Sequence, residues 1–276
     1  MLTPEQIELQ ARIRADLGVP DHFNAEAEIE RRTTFLANYL RASGLHALVL
    51  GISGGVDSLV GGCLSQRAVQ QLRAQGYEAR FYAVRLPYGV QRDEAEAQAC
   101  LDVIQPDERV TVDIKPAADA MLAAVKAAGA AFRDAAHEDF QMGNIKARQR
   151  MIAQYALGGA YSGLVVGTDH AAEAVTGFFT KFGDGAADVV PLTGLSKRRV
   201  RALASAFGAP DALVYKVPTA DLETLRPQLP DEEAFGLSYD QIDDFLEGKP
   251  VSAQVFERIV GIYQATAHKR AQPVAP

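Results

Sequence analysis

The chain has 276 residues, 48% hydrophobic and 23% charged, with 28 Lys+Arg against 35 Asp+Glu and a formal net charge of −7. That composition excludes global disorder and allows one large core or two small ones. The acid excess argues against a broad nucleic-acid or anionic-membrane surface, either of which needs a basic face. Cys63 and Cys100 lie far apart, which excludes a disulfide scaffold or a cysteine zinc site and fits a reducing compartment. No stretch approaches about 18 uncharged apolar residues, and MLTPEQIELQAR lacks the plan of a secretory signal, so a cytoplasmic location is expected.

Thr3 and Pro4 open a predicted helix over 4–17, with Ile7, Leu9, Ile13 and Leu17 as an imperfect apolar stripe. Asn24 caps a second over 24–42, whose Ile29, Phe35, Leu36, Tyr39 and Leu40 are expected to face inward. No strand is expected before residue 46. The pattern then alternates: strand 46–50, helix 57–75, strand 80–85, helix 91–104, strand 109–114, helix 117–128, a long helix 140–158 and strand 163–168. This alternation predicts parallel βαβ units, hence an α/β fold with a doubly wound, mostly parallel sheet and helices on both faces. Residues 169–195, with Gly177, Gly183, Gly185 and Gly194, read as a long functional loop before a helix at 196–207. Residues 208–236 carry four prolines and the run Asp231-Glu232-Glu233 and read as a mobile lid, followed by helices at 238–247 and 251–267. Repeats and low-complexity tracts are absent, and a single domain over 1–276 is expected.

The segment Gly51-Ile52-Ser53-Gly54-Gly55-Val56-Asp57-Ser58 follows the first strand and opens a helix. Ligands in doubly wound sheets bind beyond the carboxyl ends of strands. Paired glycines let several N–H groups approach an anion, and a helix N-terminus adds partial positive charge. Ser53 and Ser58 add hydroxyls, and Asp57 makes sense beside phosphate if it holds Mg²⁺. The phosphate loop GxxxxGK[ST] is absent because no lysine follows, and GxGxxG is absent too. GISGG also matches the G-x-S-x-G nucleophile elbow. That reading is rejected on topology, because only helices precede this strand. A plain glycine turn is the remaining alternative.

Further along, Asn144 and Arg148 share one face of the long helix, where Arg148 could grip a phosphate or carboxylate or simply be solvated. Thr168 and Glu173 stand at the end of a buried strand, with Glu173 a possible second Mg²⁺ ligand beside Asp57. Asp169-His170 could be taken for an acid–base pair, but adjacent side chains rarely face each other. The stretch 176–188 combines glycines with Phe178, Phe179 and Phe182, and reads as a core plug or an aromatic pocket for a ring. Lys181 and Asp188 would anchor that pocket, and Asp184 could lie near a reacting carboxylate. Ser196 caps a helix whose first residue is Lys197, a place disfavoured for a cation unless an anion is present; that points to phosphate.

SGGVDS resembles the pyrophosphate-binding loop of the N-type ATP pyrophosphatases. Together with VRLPYG, GNIKARQRMIAQYA, GTDHAAEAVTGFFTKFGDGAADVVPLTGLSKR, PTADL, SYDQIDDFLEG and a final HKR, it is similar to the NAD synthetase family over about residues 30–270. The resemblance implies the adenine nucleotide alpha-hydrolase-like fold, homodimers, and amidation of deamido-NAD with ammonia at the expense of ATP, through a carboxyl-adenylate. It implies ATP contacts at Gly51, Ile52, Ser53, Gly54, Gly55, Val56, Asp57 and Ser58, and at Arg85, Gln91, Thr168, Lys197 and Thr219. Deamido-NAD would meet Asn144, Arg148, Tyr155, Lys181, Asp188, His268 and Lys269, with Tyr155 near the dimer interface. Mg²⁺ would be held by Asp57 and Glu173, and Asp57, Lys197 and Asp184 would carry the chemistry. A glutaminase domain would need roughly 200 further residues and a nucleophilic cysteine; Cys63 and Cys100 read as small core residues, so ammonia is expected as the direct donor. A tRNA-modifying pyrophosphatase should be basic and cysteine-bearing, which this chain is not. A non-catalytic ATP sensor would not need Glu173 and Lys197 together. Neither nucleic acid nor membrane is expected as a partner.

Overall fold

A computed structural model of the chain describes residues 2–89, 94–219, 222–226, 229–271, 273 and 275. Two helices, α1 (Pro4–Asp16) and α2 (Ala25–Ala42), precede strand β1 (Ala47–Gly51). Helix α3 (Val56–Ala74) leads to β2 (Arg80–Arg85), α4 (Glu94–Ile104) to β3 (Glu108–Thr111), and α5 (Lys115–Ala127) with α6 (Ala135–Ala160) to β4 (Gly163–Val165). Then come α7 (Ala171–Thr176), α8 (Lys197–Ala206), α9 (Asp211–Val214), α10 (Asp231–Phe235), α11 (Tyr239–Leu246), α12 (Ala253–Ala265) and α13 (Ala267–Arg270). The strands pair in parallel in the order β3-β2-β1-β4, with Val49 opposite both Tyr82 and Val165. The chain steps outward from β1 to β3, then returns to lay β4 on the other side of β1. The carboxyl ends of β1 and β4 therefore form the switch point where such sheets open a crevice.

Strand periodicity divides the core. Leu48 and Leu50 join Leu36 and Leu40 of α2 and Leu59 and Leu64 of α3, while Val49 points the other way to Val84, Leu86 and Ile114 under α6. A third cluster ties Ile13 and Leu17 to Val175, Ile242, Phe245 and Phe256, so the C-terminal helices hold α7 beside the sheet. Each such side chain contributes about 1.5–3 kcal/mol by burial.

Several expectations need correction. Phe35 and Tyr39 are 44% and 47% exposed and pack on each other at 6.2 Å. The buried stripe of α2 runs through Ile29, Arg32, Thr33, Leu36 and Leu40, the 3.6-residue period prevailing over residue type. Arg32 can sit inside because Glu28 (2.8 Å) and the carbonyls of Pro191 and Thr193 receive its guanidinium. The third strand ends at Thr111 and the fourth at Val165, with Val166 only bridging Val189. Helix α6 starts earlier than expected, at Ala135, capped by Asp134. The loop read at 169–195 contains α7, and α9 and α10 lie within 208–236. The predicted helix start at 91–93 lies outside the described residues. Cys63 and Cys100 are buried as expected, and burial pushes their thiols up to about 12 and about 11.

Candidate functional site

The turn after β1 is folded by its own hydroxyls. Ser58 Oγ donates to the Gly55 carbonyl (3.0 Å) and lies 3.2 Å from Ser53 Oγ, while Gly55 N–H donates to Ser53 Oγ (3.3 Å). Gly54 has φ +90°, a conformation that favours glycine. Gly55 begins α3 without a side-chain cap, so the first N–H groups of a 19-residue helix are left for an anion. The turn is braced from behind: Gln154 Oε1 accepts from Gly51 N–H at 2.7 Å, and Arg85 donates to the Ile52 carbonyl while pairing with Glu94 at 2.9 Å.

Asp57, in the first turn of α3, meets residues far along the chain. Lys197 Nζ is 2.8 Å from Asp57 Oδ2 and 3.3 Å from His170 Nε2, and its ammonium lies 4.9 Å from the centre of the Tyr239 ring. His170 caps α7, which places its Nε2 3.3 Å from Asp57 Oδ1 and 3.6 Å from Glu173 Oε1. Burial pushes Asp57 up, but Lys197 and His170 outweigh it and hold the carboxyl below its ordinary range. Burial and then the Asp57 charge push Glu173 well above its ordinary value. Burial and Lys197 lower His170, against the opposing pull of Asp57. Burial opposes charge on Lys197 too, yet Asp57 and Glu173 raise it and keep it an ammonium. Burial, Asp184 and Asp57 raise Asp169 to about 7.

Ligand atoms of Asp57, His170 and Glu173 lie within 4.8 Å of one another, and among the described residues the His170 ring nitrogen, at 3.3 Å, is the neighbour of buried Asp57 Oδ1. Two hard carboxylates, one of them unable to ionise comfortably beside the other, suit a divalent cation such as Mg²⁺.

The phosphate inferred from Lys197's position on α8 is not what balances that helix. Asp243 of α11 accepts from Lys197 N–H (2.9 Å) and Arg198 N–H (2.7 Å), so a carboxylate already sits on the N-terminus, and Lys197's side chain turns to Asp57.

A cleft of about 300 Å³ lies at the switch point, and a second cavity of about 180 Å³ adjoins it. The first is lined by Gly51, Ile52, Ser53, Gly55, Val56, Asp57, Ser58, Arg85, Thr168, Glu173, Lys197 and Thr219, and Gly54 is part of the same turn. Gln91 lies outside the described residues. Asp184 lines both spaces, its Oδ1 accepting from Thr180 N–H at 2.8 Å, and burial raises its pKa against the pull of that N–H. Phe140, Phe178 and Phe179 give the second cavity its aromatic walls, with Asn144 and Lys269 as polar members.

The other expected substrate residues line neither space. Arg148 donates to the Lys181 carbonyl, Lys181 to the His268 carbonyl, and Tyr155 lies 3.5 Å from Asp188, whose other oxygen holds Val165 N–H at 2.7 Å. Arg150, Gln154, Lys216, Tyr239 and Asp243 were given no role from the sequence, and His170 was weighed only as a partner of Asp169. His170 stands after Asp169 at a strand end, but its ring meets Asp57.

A sequence profile described as NAD synthase matches residues 28–273. The chain is 66% identical over 276 residues to the NH(3)-dependent NAD(+) synthetase of Streptomyces coelicolor, covering 100% of both chains. The crystal structure of the NAD+ synthetase from Burkholderia pseudomallei superposes with a TM-score of 0.86 at 60% identity, over 99% of this chain and 100% of that one. The NMN synthetase of Francisella tularensis does so with 0.80 at 33% identity, over 92% and 99%. The parallel sheet, its switch-point cleft and these matches agree: the chain belongs to the NAD synthase family.

Proposed function

We propose that this chain is an ammonia-dependent NAD synthetase, joining deamido-NAD to ammonia at the expense of ATP and releasing NAD, AMP and pyrophosphate. The observation that carries the reading is that the uncapped N-terminus of α3, the Lys197 ammonium and the Asp57–Glu173 carboxylates face one cleft. Those are the groups an ATP polyphosphate requires. The family membership and the ammonia-dependent relative support the choice of substrate and nitrogen donor.

Asp57 and Glu173 would hold Mg²⁺, which when bound neutralises phosphate charge. The loop 51–58 receives phosphate oxygens on its N–H groups, and Lys197 stabilises the charge that develops when the α–β bond breaks. The nicotinate carboxylate attacks the α-phosphorus, pyrophosphate leaves, and an acyl-adenylate forms. Ammonia then attacks the carbonyl carbon; the C–O bond to phosphate breaks and AMP departs with a carboxylate oxygen. Positioning carries much of this, with the nicotinate ring in the cavity walled by Phe140, Phe178 and Phe179 and its carboxylate toward Asp184. Thr168 and Thr219 complete the nucleotide site, and residues 208–236, whose Lys216, Val217 and Pro218 line the cleft, serve as its lid.

Arg148, Tyr155, Lys181, Asp188 and His268 would meet the rest of the dinucleotide at the edge of a homodimer. Their place outside both cavities, beside exposed Ile152 and Phe182, supports that. A single-domain enzyme working in the cytoplasm is part of this reading; no helix among the described residues is long and apolar enough to cross a membrane. The test of the chemistry is deamido-NAD labelled with ¹⁸O in both carboxylate oxygens. One label in AMP and one in the NAD amide supports the adenylate; AMP free of label overturns it.

A further inference from the structure

The phosphate turn of this chain lacks the lysine that follows the glycines in GxxxxGK[ST] loops. Among the described residues, the basic side chains lining the cleft are Arg85, Arg150, Lys197 and Lys216. Arg85 is held by Glu94 and the Ile52 carbonyl, Lys197 by Asp57, and Arg150 donates to the Leu86 carbonyl at 3.1 Å. Lys216 differs. It makes no ion pair among the described residues, and its Nζ lies 3.5 Å from the Gly54 carbonyl at the crest of the turn. An ammonium carries three donors. A single long contact to a carbonyl leaves at least two of them for an anion bound on the same turn. The residue is half-buried, where charge is less screened than on an open surface.

We propose that Lys216 is the cation for the β- and γ-phosphates of ATP and for the departing pyrophosphate, supplying from the segment after α9 what the turn itself lacks. The assignment rests on the ATP-cleaving reading above. Lys197, packed against Asp57, would act near the α-phosphorus, and Lys216, at Gly54, on the leaving group.

The test is calorimetric binding of inorganic pyrophosphate and, separately, of AMP, each with Mg²⁺, to wild type, Lys216→Met and Lys216→Arg. The expected result is pyrophosphate affinity about ten- to a hundredfold weaker in Lys216→Met. AMP affinity should stay within about threefold, and Lys216→Arg should recover most of the loss because it keeps the charge. In turnover, kcat/KM for ATP should fall in parallel while KM for deamido-NAD holds. Unchanged pyrophosphate affinity in Lys216→Met overturns the assignment, as do equal losses of AMP and pyrophosphate or equal losses in the two variants. A wild-type protein that binds neither ligand overturns the ATP-cleaving reading itself.

Discussion

Asp243 offers a sharp test of how α8 is set in place. Its carboxylate, 1% exposed, is the acceptor for the N–H groups of Lys197 and Arg198. Asp243→Ala leaves two N–H groups without a partner, at about 1–3 kcal/mol each. Against this, burial holds the carboxyl up, near 6 instead of its ordinary 3.8, despite the pull of those N–H groups. Ionised Asp243 is therefore itself disfavoured in the folded state. A folded value above the unfolded one means that the stability contribution is full below about 3.8 and lost as pH rises through about 6. The linkage makes the wild-type advantage over Asp243→Ala about 1 kcal/mol larger at pH 5 than at pH 7.5. We expect Asp243→Ala to lose about 2–4 kcal/mol at neutral pH and a further 1 or so at pH 5, or about 2–4 °C in Tm per kcal/mol. Thermal melts at the two pH values measure both terms. A melting temperature within about 2 °C of wild type, or a deficit that grows with pH, would refute the argument.

Three further outcomes follow from the site. Lys197→Ala should lower kcat by about 100-fold or more in steady-state assays, because nothing else among the described residues is paired to Asp57 at 2.8 Å; an unchanged kcat removes Lys197 from the chemistry. Glu173→Gln should raise the Mg²⁺ concentration for half-maximal rate at least about tenfold, read from a metal titration, and an unmoved midpoint excludes it as a ligand. Gly194→Ala should destabilise by several kcal/mol, about 3 or more: φ is +81° and the new methyl would lie 2.2 Å from the Gly18 carbonyl oxygen, so backbone must move. A chemical denaturation midpoint equal to wild type would falsify that.

The parallel sheet was legible because β1, β2 and β4 are short apolar runs bounded by turn residues, and because strands and helices alternate. The turn at 51–58 was legible because its glycines and hydroxyls act locally. What sequence could not convey is pairing at a distance. Lys197 stood out as a cation misplaced on a helix N-terminus, but its partners, Asp57 and Asp243, are 140 and 46 residues away. The carboxylate at Asp243 does the work that pointed to phosphate. His170 was visible only as a neighbour of Asp169, whereas its ring meets Asp57, 113 positions earlier in the chain. Helix α7 was missed because six residues carry too little periodicity to register. Phe35 and Tyr39 misled because aromatic character suggests burial, whereas their angular position on α2 puts them outside.

The measurement that bears most directly on the account is one incubation of the protein with deamido-NAD, ATP, Mg²⁺ and ammonium, read for NAD, AMP and pyrophosphate, beside a second tube with glutamine in place of ammonium. The account predicts NAD, AMP and pyrophosphate in equal amounts with ammonium alone. AMP and pyrophosphate without NAD, or ATP bound and never cleaved, would contradict it.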